Sequence, residues 1–313
     1  MSVKGMTLKL LFLLAISFLV LSGCSAAPKF VEGPSGFLML AGGAAEFTAD
    51  HREVTVVRGP GEGQRLMIYA HGGGGLSRAD KDRVAIFRRL PFDVVYFDAF
   101  RINDLDSRWA NRNLSNTAKQ DLIGKILTGA INHFQKLGYT RIVLYGASNG
   151  ANVVINAPAQ LANQSSIKLI LAEAPAVYGH PFPDKLNVPT KVFVGLKDNW
   201  GGRGEDDLMW LRINSVSGKS LKDWIGEQQS HSSPLTVEFY QGAGHSFHYG
   251  PLTPIRRKLR AFDTVGYLGA PPDVTQKYER DIEMTVRAVL DPSRIPTARG
   301  GFGKKLGVNK TRL

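Results

Sequence analysis

The chain has little cysteine, few acidic residues and only one long apolar segment, and each of these shortages limits the structures or partners that the protein can have. Cys24 is the single cysteine among 313 residues, so no intrachain disulfide can form. Lysine and arginine number 39 against 27 acidic residues, which gives a formal net charge of +12. Such a balance is typical of proteins that meet nucleic acid or an anionic membrane. The sequence has no zinc-ligand spacing and no motif of stacking aromatic residues, so we expect no nucleic-acid partner.

No internal repeat is visible, and hydrophobic residues make up 43% of the chain. This length and composition suffice to bury the core of one large domain. We expect that domain over residues 46–291. A signal peptide over 1–23 and a Gly-, Ala- and Pro-rich tether over 24–45 precede it in this prediction, and a basic tail over 292–313 follows it.

The N-terminus carries the pattern of an export signal. Lys4 and Lys9 precede an apolar run over residues 10–21, which suits a signal-peptide core but is short for a membrane span. The run ends in LSGC, which resembles the bacterial lipobox, whose cysteine is lipidated; the alternative is a small-residue cleavage site with a chance cysteine. Ser25 follows Cys24, and by resemblance to enterobacterial lipoproteins this favours the outer membrane. We therefore predict a bacterial envelope protein anchored through lipid on Cys24 and facing the periplasm.

Ser148 lies at the centre of the strongest motif. Residues 141–145, RIVLY, are β-branched and aromatic as in a buried strand, and GASNG over 146–150 follows directly. The next residues begin a helical pattern. A G-x-S-x-G element between a strand and a helix predicts a strained turn that presents the serine hydroxyl as a nucleophile. The alternative is an ordinary glycine-rich turn.

An earlier strand runs into HGGGG at residues 71–75. Glycines at the end of a strand free backbone N–H groups to bind an oxyanion. We expect donors near Gly73 and Gly74, with a further donor from the N–H of Asn149. The alternative is a flexible loop. His71 is expected to orient the loop.

A serine hydroxyl is a poor nucleophile at neutral pH and needs a histidine base that a carboxylate orients. Asp198 and His245 each follow a late strand, where backbone position is best fixed, so we predict that these two residues serve Ser148. Two sets of near neighbours remain as rivals. His248 lies close to the histidine, and Asp206 and Asp207 lie close to the acid.

Strands alternate with helices along the chain, which predicts an α/β fold with a mostly parallel sheet and helices on both faces. Residues 199–233 form a longer connection than the sheet requires. They carry Trp200, Trp210 and Trp224, so we expect a partial cap over the site. The alternative is that these side chains only pack the connection onto the core.

The segments HGGGG, GASNG, VFVGLKD and FYQGAGHSF together resemble the dienelactone hydrolase branch of the α/β-hydrolase superfamily, over residues 53–250. The resemblance implies the α/β-hydrolase fold and a triad in the order serine, acid, histidine. The namesake enzymes use a cysteine in the elbow, whereas this chain has Ser148, which points to a general carboxylic ester hydrolase. The elbow is also similar to that of prolyl-oligopeptidase-type peptidases, but this chain has no room for their propeller domain.

The sequence therefore predicts a serine esterase that works through an acyl-enzyme, acts on a small-molecule ester and requires no metal or organic cofactor. A serine peptidase or an acyltransferase could use the same triad, and a non-catalytic envelope binding protein could keep the fold. The tail over 292–313 is either solvated or in contact with anionic lipid or lipopolysaccharide. The sequence leaves the oligomeric state and the acyl and alcohol parts of the substrate open.

Overall fold

The computed structural model describes residues 27–33, 36–59, 64–202, 205–259 and 262–290. The predicted signal peptide, Cys24 and the basic tail over 292–313 lie outside these residues. Within the described ranges, no helix combines the length and the apolar character that a membrane span needs.

The chain contains strands and helices in alternation through most of its length. The strands are β1 Lys29–Glu32, β2 Leu38–Gly42, β3 Val54–Val57, β4 Arg65–Ala70, β5 Asp93–Phe97, β6 Arg141–Ala147, β7 Ile167–Glu173, β8 Thr190–Gly195, β9 Leu235–Tyr240, β10 Thr253–Leu259 and β11 Phe262–Leu268. The helices are α1 Arg78–Ala85, α2 Ala99–Ile102, α3 Ser107–Asn113, α4 Asn116–Lys136, α5 Asn149–Asn156, α6 Leu221–Ser230 and α7 Pro272–Leu290.

Seven of these strands form one sheet in the order β3-β5-β4-β6-β7-β8-β9. β3 pairs antiparallel with β5 at the edge, and the other pairings are parallel. The predicted α/β class with a mostly parallel sheet is confirmed. β6 lies in the middle, so the residue that follows it is placed at the centre of the sheet's carboxyl edge.

The sheet is covered on both faces because its strands are apolar on both sides. Along β6, Ile142 and Leu144 enter one hydrophobic cluster, and Val143 and Tyr145 enter the other. The first cluster is completed by α4, α5 and α6, and the second by α1 and α7. Successive side chains of a strand point to opposite faces, which explains this division.

Two hairpins differ from the sequence expectations. β1 and β2 pair antiparallel inside the predicted 24–45 tether, so that part of the prediction is wrong. Phe30, Leu38 and Leu40 alternate along these strands and pack against the core, a pattern that the small residues around them obscured. β10 and β11 form the second hairpin, which the sequence analysis did not identify.

The turn between β6 and α5 requires glycine at two positions. A Cβ on Gly146 would lie 2.2 Å from the carbonyl oxygen of Gly150, and a Cβ on Gly150 would lie 2.1 Å from the carbonyl oxygen of Ala70. Both distances are far inside van der Waals contact. The helix can therefore begin against the end of β4 only because these residues have no side chain.

We expect Gly150→Ala to destabilise the fold by about 1–3 kcal/mol, because its methyl group would displace the backbone of β4. Gly226→Ala is the matched control: a Cβ there meets nothing within 4 Å, and Gly226 lies inside α6. The control should stabilise the protein by about 0.5–1 kcal/mol. Urea unfolding of both variants measures the difference, and equal midpoints would contradict the close approach described here.

Candidate active site

Ser148 occupies a strained backbone conformation directly after β6, with φ 55° and ψ −118°. The N–H of Ser148 donates to the carbonyl of Glu173 at 2.9 Å. Its own carbonyl accepts from the N–H groups of Ala151 at 3.0 Å and Ala176 at 3.1 Å. A non-glycine residue in such a conformation persists only where its surroundings fix it, and these bonds do so.

Asp198 and His245 meet as the sequence predicted. Both side chains are buried, and His245 Nδ1 lies 2.8 Å from Asp198 Oδ2. An ionised carboxylate only accepts hydrogen bonds, so Nδ1 carries the proton and Nε2 presents a lone pair. The second carboxylate oxygen of Asp198 accepts from the N–H of Trp200 at 3.2 Å. The arrangement holds the imidazole in the tautomer that a general base needs.

The alternative candidates for the histidine and the acid have other surroundings. His248 Nε2 lies 3.2 Å from Glu279, and burial lowers the pKa of His248. Asp207 accepts from Arg212 Nε at 2.7 Å, and Asp206 is exposed. Geometry therefore favours Asp198 and His245 over their neighbours.

Ser148, Asp198 and His245 follow β6, β8 and β9, so all three lie at the carboxyl edge of the parallel strands. Within the described part of the chain, the Ser148 hydroxyl makes no hydrogen bond to His245. Catalytic hydrogen bonds are often long without substrate and shorten when it binds. The hydrogen bond between Asp198 and His245 is therefore formed in this structure, whereas the one between Ser148 and His245 is not.

The loop after β4 is held by His71 and lies against the serine. His71 is fully buried, and its Nε2 accepts from the N–H of Ala99 at 2.9 Å, so Nδ1 donates to the carbonyl of Gly72 at 2.7 Å. A Cβ on Gly72 would lie 3.3 Å from that of Ser148, and one on Gly73 would lie 2.7 Å from Asn149 Nδ2.

Gly74 differs from its neighbours in the loop. It is exposed, and a Cβ on it would meet nothing within 4 Å. The loop therefore approaches the serine turn through Gly72 and Gly73. The sequence predicts donors near Gly73 and Gly74, because a run of four glycines does not reveal where the chain bends away.

Asn149 is the first residue of α5, so its N–H has no acceptor within the helix. Its side chain accepts from Gln120 at 3.0 Å and donates to Asn116 at 3.2 Å. Gln120 also donates to the carbonyl of Tyr178 and accepts from the N–H of His180. This buried glutamine, which the sequence analysis missed, ties the serine turn to α4 and to the loop after β7.

A second group of residues that the sequence analysis missed lies beneath the site. Glu173 at the end of β7 is fully buried and accepts from Arg83 Nε at 2.7 Å. It also accepts from the hydroxyls of Tyr145 at 2.9 Å and Tyr278 at 2.6 Å. Burial by itself would raise the pKa of Glu173, but attraction to Arg83 and His248, together with the hydrogen bonds from Arg83 and Tyr278, lowers the pKa to about 2. Glu173 ends an apolar strand sequence, and nothing local marks it as charged and paired.

Among the residues that the structure describes, no group of three His, Cys, Asp or Glu side chains could hold a metal ion.

Comparison with solved structures identifies the fold. No protein-family model and no curated protein matches the sequence. A structure named for a dienelactone hydrolase from Klebsiella pneumoniae aligns with a TM-score of 0.52 at 12% identity, over 82% of this chain and 97% of its own. A dienelactone hydrolase from Anabaena variabilis aligns at 0.49 and 14%, over 82% and 96%. An α/β serine hydrolase without a lid from Xanthomonas campestris aligns at 0.43 and 16%, over 72% and 88%.

This chain has the α/β-hydrolase fold. The predicted resemblance to dienelactone hydrolase-like structures is confirmed at that level. In this fold, loops at the carboxyl edge of the sheet surround the site.

The three tryptophans of the predicted 199–233 cap have different surroundings. Trp200 lies parallel to the His245 ring, with 5.7 Å between ring centroids and 6° between planes. Trp210 and Asp198 line an apolar recess, and the buried Nε1 of Trp210 has no hydrogen-bond partner among the described residues. Trp224 is only 2% exposed and donates to the carbonyl of Pro183 at 2.7 Å. The segment thus contains both residues near the site and a residue of the core.

Trp224→Ala should lower the free energy of unfolding by about 3–5 kcal/mol, because it empties a packed position. Trp210→Ala should instead widen the recess beside Asp198 and change the preference among acyl chain lengths, with a smaller loss of stability. Hydrolysis rates over a series of p-nitrophenyl esters, together with thermal unfolding, separate the two effects. If both variants lose only stability, the segment is scaffold and not a cap.

Proposed function

We propose that this chain is a serine hydrolase that cleaves carboxylic esters through an acyl-enzyme. The observation that carries the proposal is the buried hydrogen bond between Asp198 and His245, at the same sheet edge where a strained turn presents Ser148. A binding protein has no physical need for a buried carboxylate–imidazole pair, since burying polar groups costs free energy.

In the proposed reaction, Ser148 Oγ attacks the ester carbonyl while His245 Nε2 takes its proton. Asp198 stabilises the imidazolium that results. The negative charge on the tetrahedral oxygen is bound by the N–H of Asn149 and by N–H groups of the loop at Gly72 and Gly73. The imidazolium then protonates the leaving alcohol as the C–O bond breaks, and water hydrolyses the acyl-enzyme by the same steps.

An ester is favoured over a peptide by the resemblance of HGGGG, GASNG and FYQGAGHSF to the dienelactone hydrolase branch. Acyl transfer to an alcohol or amine would use the same acyl-enzyme and differ only in the acceptor. A panel of esters, peptides and added acceptors distinguishes these reactions.

Ser148→Ala should lower ester turnover by about 10⁴-fold or more and abolish labelling by a fluorophosphonate probe, with the fold intact. His245→Gln should lose turnover to a similar degree. His248→Gln is the matched control and should keep it, because His248 contacts Glu279 and not Asp198. Steady-state kinetics and circular dichroism measure these outcomes. An active Ser148→Ala variant would contradict the mechanism, and an inactive His248 variant beside an active His245 variant would reverse the histidine assignment.

We also propose that lipid on Cys24 anchors the enzyme to the outer membrane of a bacterial envelope. The support is the LSGC sequence after a signal-like apolar run. The first strand, β1, begins at Lys29, five residues after Cys24 in the sequence.

Cys24→Ala should leave the protein unlipidated, because the thioether attachment point is gone, and should abolish its partition into the detergent phase. Metabolic labelling with a fatty-acid analogue, followed by membrane fractionation, measures both. Ser25→Ala provides a control that keeps the cysteine. An unlabelled wild-type protein would remove the anchor while leaving the esterase proposal intact.

A further inference from the structure

Glu173 contacts both the serine turn and the histidine loop. Its backbone carbonyl accepts from the N–H of Ser148 at 2.9 Å. Its side-chain Oε1 accepts from the N–H of Phe247 at 2.9 Å, two residues after His245. A single fully buried residue at the end of β7 therefore links two parts of the site that are distant in sequence.

Arg83 extends this link to the residue next to His245. It is 1% exposed, and besides Glu173 its guanidinium donates to Ser246 Oγ at 2.6 Å and to Asp80 Oδ1 at 2.6 Å. Ser246 has a φ of +63°, which is uncommon for a residue with a side chain. The two residues after His245 are thus held by the Glu173–Arg83 pair.

The backbone of His245 is fixed separately from the opposite side. Its N–H donates to the carbonyl of Tyr267 at 2.7 Å, and its carbonyl accepts from Gly269 at 3.0 Å. These two bonds to the end of β11 fix the backbone position of His245 at the sheet edge. Arg83 and Glu173 instead bond to Ser246 and Phe247, the two residues that follow His245 in the chain.

Stability alone does not account for a buried ion pair. Replacing such a pair by apolar side chains of similar volume is often neutral or stabilising, because desolvation offsets the attraction. Glu173 has its full set of donors in Arg83, Tyr145, Tyr278 and Phe247. A satisfied network of this kind fixes geometry more than it adds free energy.

We propose that Glu173 and Arg83 are positioning residues that hold the His245 loop in register with Ser148. The inference rests on the esterase function proposed above, since it assigns a role to residues that never touch the substrate. Catalytic groups must be held to within about 0.5 Å of their productive geometry. The pair achieves this because it connects β7, α1 and the loop after β9 through buried bonds.

The first test removes one bond and no charge. Ser246→Ala keeps a Cβ at the positive φ but takes away the acceptor of Arg83. We expect kcat to fall by about 10- to 100-fold, because a misplacement of 1 Å can cost about 100-fold, while KM and the melting temperature stay close to wild type. The rate of fluorophosphonate labelling should fall in parallel. An unchanged kcat would overturn the proposal.

The second test removes the negative charge of Glu173. Glu173→Gln should lower kcat more than Ser246→Ala, since it weakens bonds to both Arg83 and Phe247. Glu279→Gln is the matched control, because half-buried Glu279 pairs with exposed Arg89 and contacts the ring of His248 but makes no bond to Glu173 or Arg83 among the described residues; it should keep the wild-type kcat. A folded Glu173→Gln variant with wild-type kcat and only a lower melting temperature would show a structural role. If this variant does not fold, Ser246→Ala decides alone.

The pH dependence provides a readout that packing alone would not change. A loosened contact between His245 and Asp198 changes the surroundings of the imidazole, so the pH profile of kcat/KM should differ in shape between Ser246→Ala and the wild type. The groups that contact Glu173 are Arg83, Tyr145 and Tyr278, with Asp80, Tyr69 and His248 beyond them. None of these is altered in Ser246→Ala.

The His245 imidazole can also be observed by NMR, without measuring ester hydrolysis. ¹⁵N NMR of the His245 ring, assigned with His245→Gln, reports the hydrogen bond between Nδ1 and Asp198 directly. If the wild type neither hydrolyses esters nor reacts with the probe, the proposed function fails. In that case a changed Nδ1 chemical shift in Ser246→Ala still supports positioning, and an unchanged shift overturns it.

Discussion

The strained turn at Ser148 is the constraint on which the rest of the site depends. The turn brings α5 against the end of β4 with no room for side chains at Gly146 and Gly150. It exists because the neighbouring β7 supplies a carbonyl to the serine N–H, and the loop after β7 donates back to the serine carbonyl. The central position of β6 makes such support available from strands on both sides.

Polar groups buried around this turn divide into two networks on opposite sides of the sheet. Gln120 and Asn149 join the turn to α4, within the layer that covers one face. Glu173, Arg83 and the tyrosine hydroxyls lie with α1 and α7 on the other face. Because buried polar groups are costly unless paired, each network admits few alternative arrangements. The serine is thus fixed from both faces.

The connection over 199–233 shows how one segment combines scaffold and site. Its capping box at Ser220 and Asp223 starts α6, which buries Trp224 against Phe182 at 4.9 Å between ring centroids. With that end held, the residues nearer Asp198 can place Trp200 against the histidine ring and Trp210 in the recess. Because α6 is packed onto the core, the other end of the segment can contact the site through Trp200 and Trp210.

The sequence by itself determined the α/β class and the mostly parallel sheet, and it placed Ser148, Asp198 and His245 directly after strands. Those features depend on local patterns: apolar strands, glycine at turns, and catalytic residue types directly after strands. It also located α6 and the final helix, whose caps and periodicity are local. It failed for β1 and β2, where small residues outweighed a short alternating pattern.

Only the tertiary structure decided which neighbours pair. His248 contacts Glu279 and Asp207 contacts Arg212, whereas His245 contacts Asp198. The sequence favoured His245 and Asp198 only because each directly follows a strand, and it did not show these contacts. The same holds for Glu173 and Arg83, which lie far apart in sequence and meet only when β7 and α1 pack. Hydrogen bonds between distant residues depend on the packing of whole layers, and a single sequence carries no local record of that packing.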